Sequence, residues 1–399
     1  MVLRMFRAAA AEPPGRKVSA AAAATAAVTS PVVAFQGAGR AAWSSRDVGT
    51  LTRIGFLGNP VAFRCVKVIA EAAAAVPVAV QDAERRFDVH PVIDLLAVPN
   101  PGQGGAALLE AFYGNLLLSG DGYLEAAGIV ESGGPRELYV LRSDRMKVVP
   151  GTDGWPVAYE YGVGGRRHVF DMRAERVPVL HVKAFHPQDD HYGLTPMAAA
   201  AAAVDVHNSA SAWSKALLDN AARPSGAIVY RGADGQGALA SDQYARLVEE
   251  LETHHQGARN AGRPMLLEGG LDWKPMGFSP SDMEFHRTKE AAARDVALAF
   301  GVPPMLLGLP GDNTYANYSE AHRAFYRLTV LPLVAKTLAA LSGWLPAFYG
   351  EAFVLKVDED NVPALAEERA ALWRRISDAA FLSEAEKRHL LGLPRGEGE

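Results

Sequence analysis

Apolar residues recur with helical spacing in the first third of the chain, and capping residues mark where the helices begin. Asn59 is a favourable N-cap and Pro60 suits the first helical position, so a helix is predicted from there until Pro77 ends it. His90-Pro91 opens a short amphipathic helix, and residues 106–118 have the apolar spacing of a longer one. A turn is predicted at residues 120–122.

Alternating apolar and polar positions replace the helical spacing between residues 123 and 181. Short runs such as residues 137–141 and 177–182 are separated by clusters of Gly, Pro and Asp. Period-two alternation broken by turn formers is typical of antiparallel strands. The segment is therefore predicted to be a meander of strands, with Gly162-Val163-Gly164-Gly165 as a hairpin turn.

Two long helices are predicted on either side of a small α/β unit. Thr195-Pro196 opens the first, which runs to about residue 220 and so spans about 38 Å. Ser281 with Glu284 forms a capping box for the second, which ends at Phe300 with Gly301 as its cap. Between them the pattern predicts a strand at 227–230, a helix at 242–255 and a hairpin of residues 265–268 and 271–275. The chain thus goes out along one helix and returns along the other, as in a stalk with a small domain at its tip.

The last quarter combines one exposed loop with further helices. Residues 309–318 are rich in turn formers and short polar residues, which predicts a mobile surface loop. A helix over residues 319–342, kinked at Pro332, and a helix over 364–380 follow, and Ser383 caps a short terminal helix. The elements together predict an α+β fold.

Composition and charge narrow the possible functions. The 399 residues are 49% hydrophobic and 21% charged, enough for a large core and several domains. A net charge of −5 argues against a protein that grips DNA tightly, because such binding depends on many Lys and Arg contacts to phosphate. A single cysteine, Cys65, excludes an intrachain disulfide and a zinc site of several cysteines. Residues 1–50 are rich in Ala, Gly, Ser and Pro and are predicted to form a flexible arm, and no stretch is expected to cross a membrane.

Motifs for catalysis are sparse. The sequence has neither a G-x-x-x-x-G-K-[ST] phosphate loop nor a G-x-S-x-G nucleophile elbow. Its most enzyme-like feature is a set of metal-capable side chains within eleven residues: His181, His186, Asp189, Asp190 and His191. Their spacing matches no H-E-x-x-H pattern, so ordinary hydrogen bonds are favoured. A metal-dependent enzyme acting on nucleic acid stays open as an alternative.

Two groups of residues are candidates for contact with DNA. Four basic residues on the two long helices are candidates for lining a channel: Lys215, Arg287, Lys289 and Arg294. Acidic residues are interleaved with them, which favours a solvated or subunit-contacting surface. The polar and aromatic residues of the predicted loop can touch DNA without a strong electrostatic hold: Asp312, Asn313, Thr314, Tyr315, Asn317 and Tyr318.

Several segments, in order and over roughly residues 55–395, resemble the HK97-type phage portal protein family. The most specific block is Ala-Phe-Gly-Val-Pro-Pro-Met-Leu-Leu-Gly at residues 299–308, followed by Asn313-Thr314-Tyr315-Ala316-Asn317. Tyr192-Gly193-Leu194-Thr195-Pro196 is similar to the segment that leads into the family's first stem helix. Gly120-Asp121-Gly122-Tyr123 stands where the family usually has Gly-Asn-Ala-Tyr, which is a departure.

The resemblance implies a portal fold with a mixed α/β wing, a two-helix stem, a small α/β clip and a short helical C-terminal crown. It divides the chain into seven parts: flexible arm 1–50, first part of the wing 51–190, stem helix 191–220, clip 221–280, second stem helix 281–301, tunnel loop and second part of the wing 302–375, and crown or tail 376–399.

The resemblance also implies a function. Portal subunits form a ring, usually of twelve, at one capsid vertex of a phage, prophage or gene transfer agent, through which double-stranded DNA is packaged, retained and ejected. The expected partners are the terminase large subunit, a head-tail adaptor and the major capsid protein, after assembly in the bacterial cytoplasm. The resemblance implies no catalytic residues, no metal and no cofactor. It also implies no membrane partner. A head-tail adaptor without a DNA path is the second alternative.

Overall fold

The computed structural model describes residues 43–82, 85–129, 133–219, 226–230, 240–254, 271–275, 285–310 and 315–393. Most of the predicted N-terminal arm lies outside these ranges. Its last residues, 43–50, lie within them. Asp47 caps a short helix at Val48–Leu51, and the backbone N–H and hydroxyl of Ser44 both donate to the carboxylate of Asp205.

The helices and strands alternate irregularly along the chain, as expected for an α+β protein. The described helices are α1 (Val48–Leu51), α2 (Pro60–Ala74), α3 (Pro91–Ala97), α4 (Gly105–Ser119), α5 (Pro196–Asp219), α6 (Ser241–His254), α7 (Phe285–Ala299), α8 (Tyr315–Phe325), α9 (Leu331–Trp344), α10 (Pro346–Tyr349), α11 (Ala366–Ser377) and α12 (Glu384–Leu390). Two π-helical turns, Thr52–Phe56 and Tyr326–Val330, lie directly after α1 and between α8 and α9.

Every pairing between the described strands is antiparallel. The strands are β1 (Val78–Gln81), β2 (Arg86–Phe87), β3 (Asp121–Ala127), β4 (Glu137–Leu141), β5 (Met146–Pro150), β6 (Pro156–Val163), β7 (Arg166–Asp171), β8 (Val179–Lys183), β9 (Gly226–Tyr230), β10 (Leu271–Pro275) and β11 (Val354–Val357). They form sheets ordered β11-β1-β2, β4-β3-β8, β5-β6-β7 and β10-β9. The strands predicted between residues 123 and 181 are present, but only β5-β6-β7 is a meander, because β8 returns to pair with β3.

One large core joins the helical body to two of the sheets. Its centre is formed by large side chains from α4, β3 and α9, among them Phe112, Leu124 and Leu341, each at most 1% exposed. Burying one such side chain contributes about 2 kcal/mol to folding, so this core dominates the stability of the body. The helices α2 and α5 contribute mainly small residues to it, such as Ala62 and Ala200.

A second, smaller core lies under the sheet β5-β6-β7. It brings Tyr159 and Phe170 of that sheet against Tyr123 and Val179 of β3 and β8. Gly164 and Gly165, with φ of +56° and +78°, form the tight turn between β6 and β7. Two successive positive φ values are the signature of a turn that matches strand twist, which confirms the predicted hairpin.

Local capping chemistry places most of the predicted helix ends correctly. The side chain of Asn59 accepts hydrogen bonds from the backbone N–H groups of Val61 and Ala62. Ser383 caps α12 as predicted, and it does so in a capping box with Glu386. Gly301 has φ +67°, and the backbone bonds from Gly301 to Leu298 and from Val302 to Ala297 form a Schellman motif.

Other boundaries differ from the prediction. The turn predicted at residues 120–122 is confined to Gly120, because Asp121 already pairs with Lys183 in the sheet. The helix predicted for 364–380 starts at Ala366 after a 3₁₀ turn over Pro363–Leu365. The described partner of β10 is β9, and the predicted strand 265–268, Ser281 and Glu284 lie outside the described residues.

The helical run Asn317–Tyr349 is long and apolar enough to cross a membrane by length and composition. This corrects the expectation that no stretch reaches that size. Its apolar side chains have a different use in this fold, because Phe325, Val330, Val334 and Leu338 are buried in the large core. The run therefore has the character of a core helix.

A cluster of ion pairs joins the segment after β11 to β2 and to α11, and it is expected to make this junction sensitive to acid. Hydrogen bonding to Arg369 holds the pKa of Asp360 below its ordinary value of 3.8. Burial raises the pKa of Asp358, but its hydrogen bonds to Arg86 and Asn361 outweigh burial and lower it as well. Carboxylates with lowered pKa values stabilise the fold above the pKa of the unfolded chain, and this contribution is lost as the pH falls through the folded-state pKa.

We therefore expect the stability difference between the wild-type chain and an Asp358→Asn, Asp360→Asn double variant to shrink as the pH falls. The measurement is urea unfolding of both chains at a series of pH values from about 6 to about 3. A difference that stays constant over this range would contradict the assignment.

Candidate nucleic-acid interface

The two long predicted helices pack against each other as α5 and α7. The ring of Trp213 stacks on that of Phe285 with centroids 3.8 Å apart and planes at 15°. Elsewhere small buried residues, such as Ala200, Ala201, Ala292 and Ala293, occupy these helices. Small side chains let helix backbones approach closely.

The side chain of Asn59 connects α2 to α5. Its Oδ1 accepts the two capping bonds of α2, while its Nδ2 donates to Nδ1 of His207 at 3.1 Å and to Oδ1 of Asn208 at 2.9 Å. Since the amide must donate there, Nδ1 of His207 accepts and carries no proton. Burial lowers the pKa of His207, and the charge of Lys289 on α7 lowers it further. The buried contact is therefore held by a neutral imidazole at neutral pH.

The structure separates the four basic residues that were candidates for lining a channel. Lys289 is half-buried on the side of α7 that faces His207. Arg287 and Arg294 are exposed and, seven residues apart, share a face roughly opposite to Lys289. Lys215 is exposed near the end of α5.

Arg294 also has a structural contact that its position in the sequence did not indicate. Its guanidinium donates a hydrogen bond to the backbone carbonyl of Pro310, at the start of the predicted loop. The hydroxyl of Thr329 donates to the carbonyl of Gly301 at 2.6 Å, which ties the end of α7 to the π-helical turn after α8. Neither bond follows from sequence spacing, because each joins residues that only the fold brings together.

The predicted loop is shorter than expected at its C-terminal end. Residues 311–314, with Asp312, Asn313 and Thr314, lie outside the described residues, but Tyr315 already belongs to α8 and so do Asn317 and Tyr318. The helix therefore starts four residues before the predicted Ser319. The turn preference of Asn is overcome by burial of Phe325 and by the Glu320–Arg323 pair at 3.5 Å on the same helix. Asn317 and Tyr318 are exposed, Tyr318 to 51%.

The histidine and aspartate cluster of residues 181–191 is taken up by local hydrogen bonds. His186 accepts from the N–H of Gln188, Asp189 accepts from the N–H groups of His191 and Tyr192, and the carbonyl of Asp190 accepts from Lys183. Within the ranges that the structure describes, no three His, Cys, Asp or Glu side chains converge as a metal site would require. The geometry gives no support to the metal-dependent alternative.

His181 instead belongs to a buried polar cluster where α4, β3 and α5 meet. Its Nε2 donates to Oδ1 of Asp121 at 2.8 Å, its Nδ1 bonds the hydroxyl of Tyr159, and its ring stacks on Tyr123 with centroids 4.2 Å apart. The same Oδ1 of Asp121 accepts from the N–H of Gly193 at 2.9 Å. The cluster thus fixes the segment that leads into α5.

Thr195 completes this junction. Its hydroxyl donates to the carbonyl of Leu117 at the end of α4, at 2.6 Å, and accepts from the N–H of Met197 as the cap of α5. Sequence analysis identified Thr195 as a cap but not its bond to α4, and it did not identify Asp121 as the partner of His181. The departure from the family's usual Gly-Asn-Ala-Tyr was the signal available for Asp121.

Comparison with known proteins agrees with the resemblance. The family model described as "Phage portal protein" matches residues 60–392. An uncharacterized protein of Rickettsia bellii is 38% identical over 341 residues, covering 84% of this chain and 87% of its own. The portal protein of Enterobacteria phage HK97 is 25% identical over 296 residues, covering 71% of this chain and 66% of its own.

Comparison with solved structures agrees with the family match. A chain in the neck of an empty gene transfer agent (GTA) particle, computed with C6 symmetry, is 70% identical, with a TM-score of 0.71 and coverage of 90% of this chain and 96% of that one. A chain in the neck of a native particle, computed with C12 symmetry, is 68% identical with a TM-score of 0.68, covering 90% of this chain and 97% of that one. An HK97-family portal protein from Corynebacterium diphtheriae is 15% identical with a TM-score of 0.57, covering 82% of this chain and 98% of that one, and shares the fold. The chain belongs to the phage portal protein family.

Proposed function

We propose that the chain is the portal subunit of a gene transfer agent or related phage-like particle. In this function it forms a ring at one capsid vertex, through which double-stranded DNA enters, is retained and leaves, and to which the tail is joined. The observation that carries the proposal is the 70% identity, over 90% of the chain, to a protein in the neck of a GTA particle. The C12 symmetry of a related neck structure supports a ring of twelve.

The packing of α5 on α7 supports assigning these helices to the stem of the ring. The alanine-rich stretch at residues 198–203 gives α5 a slim profile, which allows neighbouring subunits to approach closely in a tube wall. The strands β9 and β10 and the helix α6 lie between the stem helices in sequence and correspond to the clip. The sheets and helices before α5, together with α8 to α11, form the wing, and α12 with the C-terminal residues forms the short crown.

The charge balance of the chain suits passage of DNA rather than capture of it. A strongly basic lining would bind phosphate tightly and resist sliding. The exposed Asn317 and Tyr318 of α8 offer polar and aromatic contacts that check backward slippage without a deep electrostatic hold. Arg287 and Arg294, on one exposed face of α7, are the basic residues that we propose to add to this surface.

The proposed partners follow from the function. The packaging ATPase, the terminase large subunit, docks on the ring during filling, a head-tail adaptor replaces it afterwards, and the major capsid protein surrounds the ring. The family is structural, and we propose that this chain catalyses no reaction of its own and needs neither metal nor cofactor.

The assembly is tested by native mass spectrometry and electron microscopy of the purified full-length chain. We expect a closed ring of about twelve subunits with a central bore wide enough for duplex DNA. A ring whose bore is too narrow for a duplex would favour a head-tail adaptor scaffold instead. A chain that does not close into rings with capsid protein present would contradict the proposal.

The contact with DNA is tested by the double variant Asn317→Ala, Tyr318→Ala. We expect rings of normal mass and stability but a loss of retained DNA of about tenfold, because the polar contacts of both side chains with the DNA backbone are lost. The measurement is nuclease-protected DNA per assembled particle. Trp155→Ala removes an aromatic side chain that is 75% exposed in the turn before β6, and it serves as the matched control. Equal DNA content in both variants would argue against a role of α8 at the bore.

A further inference from the structure

Ion pairs to α11 hold α8 and the π-helical turn that follows it. The guanidinium of Arg323 lies 3.4 Å from Glu367 and 3.6 Å from Glu368, and that of Arg327 bonds the same carboxylate of Glu368. The side chains of Arg323 and Glu368 are only 24% and 28% exposed. Glu368 is therefore a shared, partly shielded acceptor for two arginines from the other element.

This arrangement is stronger than a single surface ion pair. An isolated exposed pair contributes little because water screens the charges and two flexible side chains must be ordered. Here one carboxylate serves two cations, and Glu320 on α8 pairs with Arg323 at 3.5 Å and restricts it further. Once one side chain of a network is ordered, each further pair needs less ordering.

The backbone that connects α8 to α9 restrains the position of α8 less than a continuous α-helix would. The π-helical turn Tyr326–Val330 interrupts the α-helical bonding between α8 and α9, and Pro332 has no N–H to donate to the carbonyl of Leu328. Restraints from outside this backbone are the burial of Phe325 in the large core, the bond from Thr329 to Gly301 and the ion pairs of the two arginines with α11. The start of the loop segment is held separately, by Arg294 to Pro310.

We propose that Arg323, Arg327 and Glu368 are positioning residues that form a clasp between α8 and α11. The clasp sets the angle of α8 at the π-helical turn, and with it the place of the exposed Asn317 and Tyr318. This inference rests on the proposed function for its effect on DNA, but the clasp itself is a property of the isolated chain. Because the pairs are partly exposed, salt weakens the clasp.

The test is hydrogen–deuterium exchange of the full-length ring, followed over residues 315–325. Glu368→Gln removes the shared acceptor while keeping the size of the side chain. We expect exchange in α8 to rise about fivefold, with the core helix α4 unchanged. Raising sodium chloride from about 0.05 M to about 1 M should raise exchange in the wild-type chain and have little effect in the variant.

Two further variants separate a positioning role from general weakening. Glu384→Gln removes an exposed carboxylate from α12, and it should leave exchange in α8 as in the wild type. In the background Arg323→Met, Arg327→Met, adding Glu368→Gln should have no further effect, because the arginines through which Glu368 acts are absent. An unchanged α8 in Glu368→Gln, or an additive effect in that background, would overturn the clasp.

The consequence for DNA is measured in particles built with Glu368→Gln. If the clasp positions the DNA contacts, these particles retain about threefold less DNA than wild type while ring mass is unchanged. Faster exchange in α8 with normal DNA retention would overturn this role of the clasp. The proposed function would fail differently, through a chain that does not close into rings with capsid protein present.

Discussion

Gly193→Ala is expected to lower the free energy of unfolding by roughly 4 kcal/mol or more, among the largest losses from a single methyl group in this chain. A Cβ at residue 193 would lie 2.0 Å from the carbonyl oxygen of Gly120 and 2.7 Å from the backbone nitrogen of Ala184. Both obstacles are backbone atoms, so no side chain can rotate away and two segments must separate.

The position of this contact makes the loss more than local. Gly120 ends α4 with φ +86°, and its carbonyl accepts a hydrogen bond from the N–H of Ala184 at 2.7 Å. Gly193 lies in the segment that leads into the cap of α5. Separation of these backbones would therefore break the junction of α4, β8 and α5 together.

Urea unfolding at a fixed protein concentration measures the loss, and Gly114→Ala is the matched control. Gly114 is in the middle of α4, and a Cβ there meets nothing within 4 Å. The control should be neutral or more stable by about 0.5 kcal/mol, because Ala has the better helix propensity. If the Gly193→Ala chain unfolds at the same urea concentration as the control, the close approach of Gly193 to Gly120 does not contribute to stability.

Elements whose ends are set by local chemistry were predicted from the sequence. Asn59, Thr195 and Gly301 each determine a helix end through bonds within a few residues, and all three act as expected. The glycine pair between β6 and β7 is another local case. Such features need no knowledge of the rest of the fold, because the capping atoms and their partners are neighbours in the chain.

Contacts between distant residues could not be predicted. Arg327 and Glu368 are 41 residues apart, and Asp121 and His181 are 60 apart. Each pair consists of ordinary polar residues whose spacing has no periodic meaning. The early start of α8 was missed for a related reason, since burial of Phe325 against other elements outweighs the turn preference of the Asn residues near its start.

Gly120-Asp121-Gly122-Tyr123 differs from the family's usual Gly-Asn-Ala-Tyr, and a family pattern alone does not explain such a difference. Sequence analysis predicted only a turn there. The structure gives a reason for two of the residues: Asp121 bonds His181 and Gly193, and a Cβ on Gly122 would lie 2.7 Å from the ring of Phe112. The variant residues are therefore fitted to their own surroundings in this chain.

Asp121→Ala is expected to lower the free energy of unfolding by about 3 kcal/mol, because it removes one acceptor that serves two buried donors. The side chains of Asp121 and His181 are 6% and 7% exposed, so water cannot easily replace the lost bonds. The N–H of Gly193 and Nε2 of His181 would both be left unpaired beside Tyr123, whose hydroxyl already has no partner among the described residues.

The conservative variant Asp121→Asn separates charge from hydrogen bonding. Oδ1 of asparagine can accept from both donors, so a loss of only about 1 kcal/mol would show that hydrogen bonding dominates, and a loss near that of Asp121→Ala would show that the carboxylate charge does. Asp144→Ala breaks a pair with Arg142 whose side chains are 56% and 44% exposed, and as the control it should cost less than about 1 kcal/mol. Unfolding by urea at neutral pH measures all three. If Asp121→Ala costs no more than Asp144→Ala, the junction is held by Thr195 and the glycine contact, and the buried polar cluster has no part in orienting α5.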